Sequence, residues 1–581
     1  MREDLRSLNR AKSLETASVQ ARRSTSLAKG SFAPLALGLV VLAGALCLPM
    51  PFWGDQALFT VYARQLTEGA VLYRDLFDVK QPGIFAFYAF GGLVFGFDEV
   101  GIHLFELLYW VGFSLFALAV LPPYFQSRWA PPLVPVFTVV VYYFYAGLLD
   151  LGQVEILVAF PILVAWWLID RADPTTPQGR RRLAAAGLAA AAVVLLKHLY
   201  LLIVLAFLAY AALRPRRWPV FYVWLTRGVG AFLIGLVVPL LAVTAYFYTH
   251  GQLERIWWAY AEMAPAAQLL TPRPFSYLAA GARRFMIGHG PMLVLAALGG
   301  AVVLRHGIGR RFDLVTAMGL WLAAGVIAFP VVQGWPEYKW TLFTVPVGIL
   351  AVVGCETLAE TARGARVRVR ARPLALAVAL GALSFIAGSR DPQIQTRLLL
   401  AVAAGVTTAV VLGWRARAVS PRPTLWVLFG TLAVSTGLLA IAPAGKLRSL
   451  ATHEFAVTSE ARTRFQQSLN GAYRAADADL RVLRAGGADT ASIYVFGDPV
   501  VLLRADRPQP LPILGWGPEF LDGRAWQELD RDLRSMPPCS IVIDRYPASI
   551  IRSRRPSIME FIEGHYDVAF VGGSGTWYVR R

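Results

Sequence analysis

Trp53-Gly54-Asp55-Gln56, followed by Gly69-Ala-Val-Leu-Tyr73-Arg74-Asp75-Leu-Phe77-Asp78-Val-Lys80-Gln81-Pro82-Gly83, stands directly after the first long apolar run of the chain, Ser31 to Met50. That run has about the length a bilayer requires, and it follows a basic arm holding Arg2, Arg6, Arg10, Lys12, Arg22, Arg23 and Lys29. No small-x-small cleavage site precedes Pro51, and Leu46 directly before Cys47 argues against a lipoprotein box, so the run reads as an anchor and not a cleaved signal. Residues 1–30, polar and rich in Ser and Arg, read as a disordered cytoplasmic arm. The quoted acids and glycines therefore open a long loop, 51–100, on the far side of the first span.

Composition agrees with a membrane protein. Of 581 residues, 56% are hydrophobic and 16% charged, with a mean hydropathy of +0.51, whereas soluble chains carry about 25% charged residues. The net charge of +19 is spread in short Arg/Lys clusters between apolar runs, which reads as loop anchoring and excludes a nucleic-acid-binding face. Cys47, Cys355 and Cys539 are too far apart for a disulfide framework or a zinc spacing.

Spans are placed near Ser31–Met50, Gly101–Leu121, Pro132–Leu149, Val154–Ile169, Leu183–Lys197, Leu199–Leu213 and Gly228–Tyr248. Others fall near Phe285–Leu304, Leu314–Pro330, Thr341–Leu358, Leu374–Gly388, Leu398–Trp414 and Leu425–Ala442, for a total of about thirteen. The loops holding Arg128, Arg171 with Arg180–Arg182, Arg214 with Arg216 and Arg217, Arg305 with Arg310 and Arg311, Arg363–Arg372, and Arg415 with Arg417 alternate with loops poor in such clusters. Positive-inside orientation then puts the N-terminus in the cytoplasm and the C-terminal segment, 445–581, outside it. The alternation requires Leu183–Leu213 to be two short spans broken at Lys197-His198, not one overlong helix. Ala57–Leu66 and Ile84–Phe95 of the first loop read as interfacial amphipathic helices. In 445–581, Ser492–Phe496 and Ser540–Ile543 read as strands and Arg524–Leu533 as a helix, giving a small α/β domain.

Asp55, at the lip of a helix, is placed either to take a proton from an alcohol or to cap the helix that follows. Glu155, in Asp150-Leu-Gly-Gln153-Val-Glu155, lies inside a span and needs a partner or a route to water. Lys197 could supply that partner, bind a phosphate, or snorkel to the interface. Gln333-Gly-Trp335-Pro-Glu337-Tyr338-Lys339-Trp340 reads as an aromatic belt, which does not account for Glu337 and Lys339. There is no Walker A loop, no GxGxxG after a strand, no HExxH and no GxSxG.

The first-loop pattern, continued by Tyr88-Ala89-Phe90, Val94-Phe95-Gly96 and Gly101-Ile102-His103-Leu104, resembles the first periplasmic loop of the GT-C superfamily of membrane glycosyltransferases. That superfamily includes the protein O-mannosyltransferases, the lipid A aminoarabinose transferases and the lipopolysaccharide core sugar transferases. The resemblance implies an α-helical polytopic fold, with residues 31–444 as transmembrane domain and 445–581 as an extracytoplasmic α/β domain. It implies Asp55 as catalytic base and Lys80, Pro82 and Gly83 beside the donor phosphate. Asp78, Arg64, Asp150, Glu155, Lys197, Tyr338 and Lys339 are its further candidates for substrate binding. The segment Gly251–Arg284 falls where relatives carry a flexible lid. Many relatives have Asp-Glu where this chain has Asp55-Gln56, which weakens a metal site there.

On that reading a polyprenyl-phosphate sugar in the bilayer is the donor, and a lipid, polysaccharide or protein hydroxyl in the cell envelope is the acceptor. Positive charge around the leaving phosphate comes from Lys80, Lys339 and Arg64, or from a divalent cation (Mg or Mn). A transporter or flippase of lipid-linked sugars would show inverted repeats, which are not evident. A polysaccharide polymerase or ligase using lipid-diphosphate donors, or a non-enzymatic scaffold, are the other readings.

Overall fold

The computed structural model describes residues 32–214, 218–270, 275–307, 309–328, 337–364, 443–486 and 491–581. The expected arm over 1–30 and the last three expected spans lie outside them. Among the described residues the main helices of the bundle and its first loop are α1 Ala33–Ala45, α2 Gly54–Thr67, α3 Pro82–Phe95, α4 Glu99–Val120, α5 Leu133–Tyr145, α6 Ala159–Asp170, α7 Pro177–Lys197, α8 Leu201–Leu213, α9 Val229–Thr249, α10 Phe275–His306, α11 Arg310–Ala328 and α12 Thr344–Gly364. Among the described residues, six helical runs are long and apolar enough to cross a membrane. Their starts are written in the sequence: Asp98 accepts the Gly101 N–H at 2.7 Å to cap α4, and Thr176 accepts the Gly179 N–H at 3.0 Å, with Pro177 opening α7.

The arginine-bearing helix ends gather at one end of the bundle. Arg182 donates to the Arg171 carbonyl at 2.7 Å, and Arg214 lies 3.2 Å from Asp170 and 2.9 Å from Asp313. Arg311 reaches Glu356 and Glu360 at 3.5 and 3.3 Å. The start of α7 and the end of α8 therefore share this end, and the chain turns at the other. That turn is at Lys197, whose backbone leaves the helical region (φ −161°, ψ 103°) before the 3-10 turn His198–Tyr200. Leu183–Leu213 is thus two helices running in opposite directions.

Beyond Leu450 a small domain closes the opposite end. Its sheet comprises β1 Ile493–Phe496, β2 Ser540–Ile543, β3 Tyr566–Val571 and β4 Thr576–Arg580 in the order β1-β2-β4-β3, with β1 and β2 parallel and the other pairs antiparallel. β1 and β2 are fully buried and rich in β-branched and aromatic residues, which is why they are legible as strands. β3 exposes most of its length, and its hairpin to β4 goes unread in the sequence. The helix Gly523–Ser535 starts where Asp522 accepts the Ala525 N–H at 2.8 Å.

The first loop belongs as much to this domain as to the bundle. Phe77 N–H donates to the Pro512 carbonyl at 2.8 Å, and the Phe52 N–H donates to the Tyr473 hydroxyl at 2.9 Å. Gln65 and Gln509 exchange side-chain to backbone bonds at 3.1 and 2.9 Å. Helix α2 is consequently not interfacial: residues Gln56 to Ala63 are buried between bundle and tail. Helix α3 does present an apolar face, with Phe90, Leu93, Val94 and Phe95 exposed.

Candidate active site

Asp55 sits in the first turn of α2, and the capping alternative is not realised. Trp53 occupies the N-cap position, and Gln56 does the local work: its Oε1 accepts the Trp53 N–H at 2.6 Å and its amide donates to the Leu151 carbonyl. The carboxylate is left for other partners. Its Oδ1 lies 3.5 Å from Lys80 Nζ and accepts the indole N–H of Trp516 at 3.2 Å. No hydrogen bond reaches its Oδ2 among the described residues.

Lys80 is held from several sides. Asp78 Oδ1 accepts the Lys80 backbone N–H at 2.9 Å, Asp78 Oδ2 lies 3.5 Å from the ammonium, and the ring of Phe59 is 5.3 Å below it. Burial opposes the charge on Lys80, but Asp55 and Asp78 together outweigh it and raise its pKa above the usual lysine range. Two glycines permit these approaches. A Cβ on Gly54 would fall 2.2 Å from the indole of Trp516, and one on Gly83 would fall 2.5 Å from the Leu195 carbonyl, next to the α7 break.

These groups open onto a cavity of 940 Å³ between bundle and tail. Asp55, Asp78, Lys80, Glu155, Lys197, Tyr338 and Lys339 all line it. Glu155 is 1% exposed and is paired with Lys197 at 2.6 Å, so the buried acid takes the lysine as its partner. Gln81 Nε2 and His198 Nδ1, 2.8 Å apart, tie the α7 break to the first loop. Tyr338 and Lys339 enter from the 3-10 turn Glu337–Phe343.

Two expected residues stand elsewhere. Arg64 follows Asp55 by nine positions, which at 100° per residue puts it on the opposite face of α2. There it pairs with Asp506 and with Glu68 at 3.3 Å, away from the cavity. Asp150 is folded back by its own turn: its Oδ2 accepts the Gly147 N–H at 2.7 Å and meets Arg284 at 2.6 Å, lining a separate 40 Å³ hollow.

Which residues of the tail reach the site is not legible in the sequence. Trp516 lies between two glycines, Gly515 and Gly517, and Asp498 follows β1 in Gly497-Asp498-Pro499; a lone aromatic and a turn acid carried no distinguishing signal. The segment after α9 also closes on the site. Trp258 stacks on Phe77 at 4.4 Å and donates to Asp522 at 2.8 Å, while Tyr260 donates to the Lys80 carbonyl at 3.3 Å. Among the described residues no group of three His, Cys, Asp or Glu is placed together.

A bundle of apolar helices, a first loop folded back over it and a small sheet domain closing a polar cavity together make a fold shared with a solved membrane-protein structure. ArnT from Cupriavidus metallidurans bound to undecaprenyl phosphate is a solved structure with this fold: the TM-score is 0.50 at 14% identity, covering 94% of this chain and 97% of that one. ArnT from the same organism in the apo state gives 0.48 at 13% identity with the same coverage. No family model matches the chain, and no curated protein matches it. At such identity the likeness establishes the fold, the one that the first-loop resemblance implied.

Proposed function

We propose that this chain is a membrane glycosyltransferase that moves a glycosyl residue from a polyprenyl-phosphate-linked sugar to a hydroxyl of a cell-envelope acceptor. The observation that carries the reading is the Asp55–Lys80 pair, 3.5 Å apart, in a 940 Å³ cavity whose bundle wall also bears Lys197 and Lys339. A carboxylate beside a lysine suits a reaction in which a proton is taken and a phosphate is released.

In the proposed step Asp55 Oδ2 accepts the proton of the acceptor hydroxyl. That oxygen forms a bond to the anomeric carbon as the bond from that carbon to the donor phosphate oxygen breaks. Polyprenyl phosphate leaves with the electron pair, its charge met by Lys80 and Lys339. A single displacement inverts the anomeric centre. The crystallised neighbour bound to undecaprenyl phosphate supports a lipid phosphate as the carrier. Gathering of the arginines at the bundle end remote from the cavity supports a cytoplasmic N-terminus and a cavity on the outer face.

The test is a donor screen with the full-length protein in liposomes. Polyprenyl-phosphate derivatives of common hexoses and pentoses are supplied with cell-envelope extract as acceptor. One donor should be consumed with release of polyprenyl phosphate, whereas nucleotide sugars should not react. Consumption of nucleotide sugars or of lipid-diphosphate oligosaccharides alone would overturn the assignment.

A further inference from the structure

The tail wall of the cavity has a chemistry distinct from the bundle wall. Strands β1 and β2 run parallel, and their carboxyl ends point at the cavity; Gly497-Asp498 follows the first and Asp544 the second, and both acids line it. The β3–β4 turn, with Gly573 and Ser574, reaches the same edge, since Thr576 is in register with Ile543 at the end of β2. The carboxyl edge of parallel strands is a common place for a ligand in open α/β sheets.

The charges differ between the two walls. The bundle and first-loop side mixes Lys80, Lys197 and Lys339 with Asp55, Asp78 and Glu155, while the tail side carries only acids, Asp498, Asp544 and Glu519, with no lysine or arginine among the described lining residues. One oxygen of Asp498 accepts the Val500 N–H at 3.0 Å, at the start of the helix Val500–Ala505, and one of Asp544, the N-cap of Arg545–Arg554, accepts the Arg545 N–H at 2.6 Å, so each keeps a second oxygen for a ligand. Ser574 Oγ is buried without a hydrogen-bond partner among the described residues. Trp516 lies beside them, edge-on to Trp53 at 6.4 Å. Aromatic faces cover the C–H side of a sugar ring, and carboxylates accept from its hydroxyls. A phosphate or carboxylate, by contrast, would meet like charge without a compensating cation.

We propose that the carboxyl edge of the β1–β2 sheet, with Asp498, Asp544 and Trp516, is the acceptor subsite and that it takes a neutral, hydroxyl-rich saccharide. It deepens the glycosyl-transfer reading and rests on it for the word acceptor. Burial, with Asp55 and Asp544 adding to it, brings the Asp498 carboxyl up to about 6, so that in mildly acid medium it can donate as well as accept.

Binding can be read without any donor. The full-length protein in nanodiscs is applied to an array of neutral, acidic and phosphorylated oligosaccharides, with folding of each variant checked by thermal unfolding. Neutral glycans should be retained, and D498N and D544N, in which the amide oxygen can still accept the same N–H, should each lower that signal at least tenfold; W516A should lower it more than W516F. Retention of phosphorylated glycans only, retention of none, or equal signals from wild type and both Asn variants would each overturn the proposal. A failed donor screen with intact array binding would instead count against the transfer chemistry alone.

Discussion

The indole N–H of Trp516, carried by the tail, donates to the carboxylate of Asp55, carried by the first loop, across 461 positions of sequence and 3.2 Å of space. The acid is therefore oriented by a residue from the far end of the chain. Since Gly54 leaves room for the same indole, the contact is one of shape as well as hydrogen bonding.

Trp516→Phe keeps the ring and removes the donor. A hydrogen bond to a charged group contributes about 1.5–3 kcal/mol, so kcat should fall by about tenfold to a hundredfold. Trp516→Ala should fall further, because the packing over Gly54 goes too. Steady-state kinetics on membranes with matched protein levels decide it; equal activity of both variants would remove the tail from the chemistry.

Lys80→Met leaves Asp55 and Asp78 facing each other across the vacated ammonium. Transfer should drop by about 10²-fold or more, and Lys80→Arg should retain more activity than Lys80→Met. The same pair of variants should weaken the binding of polyprenyl phosphate in that order, as measured by titration of detergent-solubilised protein.

Glu155 and Lys197 form a pair with Glu155 almost wholly buried. Removing one partner strands a buried charge, at a cost of about 3–5 kcal/mol. Lys197→Met should therefore lower the yield of folded protein, and Glu155→Gln with Lys197→Met should restore it. Fluorescence-detected chromatography reads the yield. Transfer by the double variant then separates structure from function: restored yield without restored transfer assigns the pair to the site.

Asp498 gives a pH-dependent stability. Its carboxyl, at about 6 in the fold against an ordinary 3.8, binds its proton more tightly folded than unfolded. The fold therefore has its full stability below 3.8 and loses some as the pH rises through 6. Asp498→Asn should be more stable than wild type at pH 8, by about 3 kcal/mol at most, and equal to it near pH 3.5. Thermal unfolding at the two pH values checks the sign.

Local signals marked many of the apolar helices and the break at Lys197, whereas Asp55 is picked out only by the first-loop resemblance. Apolar run length marks a helix in a bilayer, arginine placement marks its end, and Glu155 inside a span demanded a cation, which Lys197 supplies. Helical phase would have removed Arg64, since nine residues turn it to the far side of Asp55. Asp150 could not be sorted from Glu155, because the two differ only in which way a short turn folds, and Arg284, 134 residues on, decides that. Trp516 and Asp498 reach the site through tertiary docking of a separate sheet, for which no periodicity or spacing exists in the chain.

The most direct measurement is single-turnover transfer by Asp55→Asn, with labelled sugar on polyprenyl phosphate as donor and cell-envelope extract as acceptor. Loss of the base should slow transfer by about 10²–10⁴-fold, while the protein stays inserted and the binding of polyprenyl phosphate stays within threefold of wild type. Transfer by Asp55→Asn at the wild-type rate would contradict the assignment of Asp55 as the proton acceptor.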